Sequence, residues 1–203
     1  MRASDAYVLG LTGGICCGKS EAARVMKEMG AYHIDADGIS RNLTKQGGEA
    51  LPAIRAQFGD EVFEGSVLNR RALGAAVFGD VAKRRALEGI LHPLIQRDVM
   101  RALSAAGQSG AKVALLDVPL LFETGMDALC DEVWVLTASR AVQVSRIVAR
   151  DGLPREQAEA RIASQMSAEE REKRASRVIN TEKPLEKTQT EIAYLFQQLL
   201  KRL

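Results

Sequence analysis

The most constraining feature of this 203-residue sequence is one glycine-rich run that matches the phosphate-binding pattern G-x-x-x-x-G-K-[ST] at every fixed position. Glycines let the backbone curl so that successive N–H groups face an anion, and a helix beginning there adds the positive end of its dipole. Lys19 is then expected at the β- and γ-phosphates of a nucleotide, and the Ser20 hydroxyl at Mg²⁺. We expect the whole run to bind the nucleotide: Gly13, Gly14, Ile15, Cys16, Cys17, Gly18, Lys19 and Ser20.

The sequence on either side of this run supports the interpretation. Residues 7–12 form an apolar run of strand length, and after the motif Ala22, Val25, Met26 and Met29 recur at helical spacing. Strand, glycine loop and helix is the arrangement that phosphate binding requires. The alternative, an ordinary glycine-rich turn, does not explain this order.

Composition sets the broad class of the protein. Charged residues make up 27% and apolar residues 46% of the chain, which is typical of a globular domain. A net charge of +2 gives no reason to expect a nucleic acid or a membrane as partner. Three cysteines form neither a disulfide framework nor a zinc-ligand spacing, and no apolar run is long enough to span a bilayer. We therefore expect a cytoplasmic protein.

Two carboxylates follow the second predicted strand, residues 32–35. Strand residues two apart share a face, so Asp35 and Asp37 would point the same way if the extended conformation continued. Ligands of open α/β sheets bind at the carboxyl ends of strands, which makes this pair a candidate for chemistry. The alternative is a helix N-cap followed by a surface acid.

Residues 39–108 interrupt the alternation of strands and helices. We interpret them as helices joined by short loops, which form an inserted substrate-binding region. Asn69 is a predicted N-cap. Pro93 suits a first helical position, which would place His92 at the cap. A lone histidine at such a position is more often structural than functional.

The alternation resumes with predicted strands at residues 113–118, 133–136 and 177–180, which favours an α/β fold with a parallel sheet. Asp117 ends the first of these and could be a second carboxylate linked to Mg²⁺. Arg146 and Arg150 share one helical face. That face is either solvated or part of a mobile helical hairpin that clamps a transferred phosphoryl group.

The ordered set of motifs resembles the dephospho-CoA kinase family over essentially the whole chain. The residues that carry the resemblance are 11–20, 34–37, 92–95, 119–123, 146–151, 165–167 and 178–180. The resemblance implies a fold similar to that of nucleoside monophosphate kinases, with a five-stranded parallel sheet, a helical acceptor region and a lid. It also implies transfer of the ATP γ-phosphate to the ribose 3′-hydroxyl of dephospho-CoA.

The resemblance further implies roles for individual residues. Asp37 is expected to be the base at the acceptor hydroxyl, while Lys19 and Arg146 stabilise phosphoryl charge. Asn180 is expected near the adenine of ATP. The acceptor side is expected to include four further residues: His92, Leu121, Phe122 and Glu123.

The resemblance also implies boundaries between the functional segments of the chain. All of these segments belong to a single P-loop kinase unit. Residues 1–38, 109–139 and 175–203 are expected to form the nucleotide-binding core, residues 39–108 the acceptor region and residues 140–174 the lid. The sequence does not distinguish a monomer from a small homo-oligomer.

The chain departs from the family pattern inside and just after the glycine loop. Cys16 and Cys17 stand where the family usually has glycine and a small serine or alanine, and Glu21 stands where a small residue is usual. Two interpretations of the cysteines stay open. Helix N-termini favour a reactive thiolate, whereas packing under the loop would make them small apolar fillers.

Two alternative functions remain at this stage. A nucleoside monophosphate kinase would share the fold and differ only in its acceptor. A regulatory GTPase is disfavoured, although residues 35–38 match its D-x-x-G pattern. They follow the first helix with no switch segment between, and the sequence has no N-K-x-D signature for guanine.

Overall fold

The computed structural model describes residues 5–203, so the first four residues of the predicted nucleotide-binding core lie outside it. The strands are β1 (Tyr7–Gly13), β2 (Tyr32–Asp35), β3 (Phe63–Glu64), β4 (Val67–Leu68), β5 (Val113–Asp117), β6 (Glu132–Thr137) and β7 (Arg177–Asn180). The α-helices are α1 (Lys19–Glu28), α2 (Ala36–Leu43), α3 (Leu51–Phe58), α4 (Arg70–Val77), α5 (Val81–Gln108), α6 (Arg140–Asp151), α7 (Arg155–Ala163), α8 (Ala168–Arg174) and α9 (Leu185–Arg202).

Five strands form one sheet in the order β2-β5-β1-β6-β7, with β1 in the middle. β1 pairs in parallel with β5 and with β6, and β6 pairs in parallel with β7. Every residue of β5 is buried, which explains why residues 113–117 read as a nearly continuous apolar run. The predicted α/β fold with a five-stranded parallel sheet is confirmed.

The chain divides into two compact units. The first contains the residues up to Ile34 and Leu103–Leu203, and the second contains Asp35–Ala102. The helix α5 begins in the second unit and ends in the first. Within residues 5–203, no helix combines the length and apolar character that crossing a membrane requires.

The core of the first unit packs α1 and α9 against the sheet. The apolar face of α1, which includes Ala22 and Met26, shares one buried cluster with Leu11 of β1 and with α9. The inward face of α9 includes Ile192 and Phe196, which are fully buried. Leu185, at the start of this helix, is exposed.

The core of the second unit is an apolar cluster built from α2, α3, α4 and α5. Asn69 caps α4 as predicted, accepting a hydrogen bond from the Ala72 backbone N–H at 2.9 Å. The interpretation of this region as helices alone is wrong, because β3 and β4 form an antiparallel hairpin. Strands of two residues are too short to show any periodicity in the sequence.

The helix α5 corrects the prediction at Pro93. It runs from Val81 to Gln108 with Pro93 in its interior, so His92 is an exposed helical residue and not a cap. Proline removes one hydrogen bond from a helix. Here the apolar side chains on both sides of it, among them Leu91 and Leu94, pack on the core of the second unit and keep the helix continuous.

The carboxylates after β2 also need a correction. The extended conformation stops at Asp35, which is the N-cap of α2, so Asp37 lies in the first turn of a helix and is exposed. Asp35 accepts a hydrogen bond from Arg41 Nη2 at 2.8 Å. The two acids therefore do not share a strand face, and the alternative of an N-cap followed by a surface acid describes their geometry.

Candidate active site

The loop between β1 and α1 depends on glycines, for lack of space at Gly13 and for backbone conformation at Gly18. A Cβ atom on Gly13 would lie 2.6 Å from the carbonyl oxygen of Leu136 in the neighbouring strand β6. Gly18 is the N-cap of α1 and has φ of 81°, a left-handed conformation that favours glycine. The backbone of the loop therefore requires glycine at both fixed glycine positions of the motif, Gly13 and Gly18. The second of these positions is where α1 begins.

Cys16 has φ of 59° and is the only non-glycine residue in the described range with positive φ. A left-handed conformation costs an ordinary residue roughly 1–2 kcal/mol. Such strain persists where the surroundings hold the backbone in place. Arg146 of α6 provides part of this hold, because its Nη1 donates to the Cys16 carbonyl oxygen at 3.1 Å.

Two glutamines bind both backbone polar groups of Ile15. The Ile15 N–H donates to Gln165 Oε1 at 3.0 Å, and Gln143 Nε2 donates to the Ile15 carbonyl oxygen at 2.8 Å. A Cβ atom on Gly14 would lie 2.5 Å from Gln143 Nε2, so this contact also explains why Gly14 has no side chain. Neither glutamine is a predicted site residue, since each lies more than 120 residues from the loop in the sequence.

Arg146 is tied to the end of β7 as well as to the loop. Its Nη1 donates to Thr181 Oγ1 at 3.1 Å, and its Nη2 donates to the Thr181 carbonyl oxygen at 2.6 Å. Arg150, which shares its helical face, instead pairs with Asp151 at the surface. The two arginines that share this helical face therefore have different partners, and Arg146 is the one that donates a hydrogen bond to the backbone of the glycine loop.

Lys19 forms an ion pair with Asp117, with 2.5 Å between Nζ and Oδ1. The other oxygen of this carboxylate, Oδ2, lies 3.0 Å from His33 Nε2. Asp117 is buried at the end of β5, and His33 is in β2. Asp117 was identified by its position after a buried strand. His33 was missed, because nothing in its local sequence distinguishes it from a surface residue of an edge strand.

A cavity of about 760 Å³ lies beside the loop, between the carboxyl ends of β6 and β7 and the helices α6 to α8. Asn180 lines it, and its Oδ1 accepts a hydrogen bond from the Glu182 backbone N–H at 2.8 Å. That bond leaves the side-chain amide N–H groups of Asn180 as donors for a ligand. The Ser139 N–H donates to the Glu182 carboxylate, and hydrogen bonds from the side chain and then the backbone of Ser139 lower the pKa of Glu182.

The residues expected on the acceptor side have different surroundings. Leu121 and Phe122 are buried, and the Arg174 guanidinium lies 4.4 Å from the centroid of the Phe122 ring. Their side chains pack in this structure, so contact with an acceptor stays a prediction. Glu123 accepts a hydrogen bond from the Met166 N–H at 3.2 Å. His92 is exposed on α5.

The cysteines of the loop favour the interpretation as packed fillers over that of a reactive thiolate. Cys17 is 2% exposed, and burial raises its pKa despite the nearby Arg171. Burial likewise raises the pKa of Cys16, which packs beside Ile15 on an apolar cluster of α6 and α7. Away from the loop, burial and the neighbouring carboxylates raise the pKa of Cys130 to about 12. The hypothesis of a thiolate at the helix N-terminus is therefore not supported.

The donors beside the loop fit a magnesium ion held mainly by phosphate and water. Ser20 is exposed in the first turn of α1, and Asp117 is the nearby carboxylate at the end of β5. Within residues 5–203 there is no cluster of three or more His, Cys, Asp or Glu side chains suited to a metal. Mg²⁺ in phosphoryl-transfer sites uses few protein ligands, so this donor set suits it. Glu21, the next residue, pairs with Arg24, and that hydrogen bond lowers its pKa.

Comparison with known proteins adds independent evidence. A family described as "Dephospho-CoA kinase" matches residues 7–187. A dephospho-CoA kinase of Symbiobacterium thermophilum is 42% identical over 187 residues, which cover 91% of this chain and 78% of that protein.

Two solved structures also resemble this one. A crystal structure of a Thermus thermophilus protein has a TM-score of 0.81 at 31% identity, covering 96% of this chain and 98% of that one. A dephospho-CoA kinase from Campylobacter jejuni has a TM-score of 0.66 at 24% identity, covering 95% of this chain and 97% of that one. At this identity the second likeness concerns the fold alone.

Proposed function

The chain belongs to the dephospho-CoA kinase family, and from that membership we propose how its own residues carry out the reaction. The protein catalyses the ATP-dependent phosphorylation of dephospho-CoA to coenzyme A. The acceptor atom in this proposal is the oxygen of the ribose 3′-hydroxyl, and ADP is the second product.

The observation that carries the proposal is the geometry of the loop between β1 and α1. Its glycines let the backbone come close to a ligand, and its last residues open α1, so that unpaired N–H groups of the helix start are available to an anion. Lys19 stands in the first turn, and its ammonium lies at the end of β5 beside Asp117. This is a site for the phosphates of a nucleotide.

Lys19 and Arg146 stabilise the charge that develops during transfer. Phosphoryl transfer needs little covalent help from the protein, so positioning and electrostatic stabilisation supply most of the rate. Lys19 contributes a compact ammonium at the β- and γ-phosphates. Arg146 contributes a planar guanidinium from the side of α6, where it is held by Thr181 and the loop backbone.

Asp37 accepts the proton of the ribose hydroxyl in this proposal. Its carboxylate is exposed in the first turn of α2, and a positioned carboxylate is a suitable general base. The Ser20 hydroxyl is the proposed protein ligand of Mg²⁺. When bound, Mg²⁺ neutralises charge on the β- and γ-phosphate oxygens.

Asn180 and the cavity beside it receive the adenine of ATP. An adenine ring presents nitrogen acceptors, and the amide N–H groups of Asn180 are donors. The cavity and the glycine loop lie at the same edge of the sheet, since both follow the carboxyl ends of parallel strands. Base and phosphates of one nucleotide can therefore be bound by one unit of the chain.

The proposal also assigns different roles to different segments of the chain. Residues 39–108, with His92, bind the acceptor, and residues 140–174 form a lid that excludes water during transfer. The segment containing Leu121, Phe122 and Glu123 follows β5 and is proposed to face the acceptor. We propose a cytoplasmic enzyme that acts as a monomer or a small homo-oligomer.

A coupled assay of ADP release across several acceptors tests the proposal. We expect release with dephospho-CoA and Mg·ATP, and none above background with AMP, GMP or a dephospho-CoA analogue that lacks the 3′-hydroxyl. The Lys19→Ala variant serves as the control for contaminating kinases. Turnover of a nucleoside monophosphate with dephospho-CoA inert would instead identify the other kinase class.

A further inference from the structure

His33 contacts the carboxylate of Asp117, and the proposed reaction gives His33 no role. Its Nε2 lies 3.0 Å from Asp117 Oδ2, and its side chain is 21% exposed. An ionised carboxylate oxygen only accepts hydrogen bonds, so Nε2 must carry the proton and donate. The contact therefore determines which ring nitrogen of His33 is protonated.

The carboxylate of Asp117 uses a different oxygen for each of its two partners. Oδ1 accepts from Lys19 at 2.5 Å and Oδ2 accepts from His33 at 3.0 Å. Its side chain is 7% exposed, so little water is available to replace either partner. Two bonds to different oxygens restrain the plane of the carboxylate, because rotation about the Cβ–Cγ bond of Asp117 moves both oxygens from their present positions.

We propose that His33 is a positioning residue for phosphoryl transfer, which holds one oxygen of Asp117 so that the other keeps the Lys19 ammonium at the phosphate site. An ammonium group has three N–H donors, so Lys19 can keep its bond to Asp117 and still donate to phosphate oxygens. Without the donor of His33, Oδ2 is a buried acceptor with no partner, and the carboxylate turns to find one. The inference rests on the proposed role of Lys19.

Two substitutions of His33 separate hydrogen bonding from the filling of space. His33→Leu removes the donor, and we expect kcat to fall about tenfold, the size of one hydrogen bond to a charged group. His33→Gln places an amide N–H near the position of Nε2, and we expect it to recover kcat to within about threefold of the wild type. The KM for dephospho-CoA should stay unchanged in both variants.

A matched control comes from the same strand. Tyr32 precedes His33, and consecutive side chains of a strand point to opposite faces, so Tyr32→Leu changes the strand without changing the contact. We expect its kcat to equal that of the wild type. Thermal unfolding of each variant shows how much of any loss in kcat is due to unfolded protein.

A double-mutant cycle tests whether His33 acts through Asp117. In an Asp117→Ala background, His33→Leu should cause no further loss in kcat, because the partner that it holds is absent. The same tenfold loss in that background would overturn the proposal. So would a His33→Gln variant as slow as His33→Leu, or a folded His33→Leu variant with the kcat of the wild type.

The assay of the wild-type protein distinguishes this inference from the proposed function. If the wild type does not phosphorylate dephospho-CoA, the proposed function fails before any variant is compared. If the wild type is active and His33→Leu does not change kcat, only the role of His33 fails.

Discussion

The two compact units hold their key residues in different ways. In the first unit, polar side chains from distant parts of the chain hold the glycine loop and its lysine, among them Gln143, Arg146 and Asp117. In the second unit, the core is an apolar cluster around Ile54, and the ion pairs, such as that of Arg97 with Glu49, lie towards the surface.

The difference separates activity from stability. Hydrogen bonds to a strained loop place groups within a few tenths of an ångström but contribute modestly to stability, since water replaces them in the unfolded chain. Burial of apolar side chains stabilises a unit without placing any one group accurately. Substitutions in the two regions should therefore be detected by different measurements.

Asp37 offers the strongest test, because it is a proposed catalytic residue in the unit that is otherwise held by apolar packing. Asp37→Asn should lower kcat by about 10²–10⁴ with little change in the free energy of unfolding, because the amide cannot accept the proton of the hydroxyl. Steady-state kinetics and thermal unfolding measure both. Asp60→Asn, a surface acid paired with Arg55, is the control and should keep full activity. A variant of Asp37 with near-normal kcat would make this residue a structural acid.

Arg146 tests the contribution of the polar contacts that hold the glycine loop of the first unit. Arg146→Ala should lower kcat by about 10³, because a charge stabiliser and a support of the loop are lost together. Arg146→Lys should not restore it, since an ammonium cannot make the forked contacts to Cys16 and Thr181. Arg155→Ala, an exposed arginine on α7, is the control. An alanine variant that unfolds more easily but keeps its kcat would contradict the assignment.

Ile54 tests the contribution of apolar packing in the core of the second unit. Its side chain is fully buried in the core of the second unit, and Ile54→Ala should lower the free energy of unfolding by about 2–5 kcal/mol. The kcat of the protein that remains folded should not change. Val81→Ala, at a position 53% exposed, should alter stability by less than about 0.5 kcal/mol. Denaturant titrations of both variants decide the point, and equal stabilities would show that this cluster contributes little.

Cys16 gives the smallest expected effect and sharpens the role of strain in the loop. Cys16→Gly removes the strain of a left-handed residue, and Cys16→Ala keeps it, so the glycine variant should be more stable by about 1 kcal/mol. Thermal unfolding of the two variants measures the difference. An alanine variant as stable as the glycine variant would show that the loop is not strained at this position.

Much of the secondary structure of the first unit was predictable because it follows local sequence patterns. The strand, glycine loop and helix at residues 7–28 were predicted from the motif and from apolar spacing, and the structure confirms them. The strands β5, β6 and β7 were predicted in the same way, from the apolar runs at residues 113–118, 133–136 and 177–180. Patterns of this kind work because the interactions that they describe lie within a few residues of each other.

The second unit shows where local patterns fail. Pro93 favours a helix start when only its neighbours are considered, yet tertiary packing keeps α5 continuous through it. Asp37 shares a face with Asp35 only if the strand continues, and the helix α2 begins first. In each case the local sequence is compatible with two conformations, and the tertiary context decides between them.

By itself, the sequence determined the family, the α/β class and the position of the phosphate-binding loop, because these depend on residue order and on conformational limits of glycine. The tertiary structure alone decided which side chains hold that loop. The contacts of Gln143 with Ile15, and of His33 with Asp117, join residues 128 and 84 positions apart. No periodicity connects such residues, because the folding of the sheet and of the helices around it brings them together.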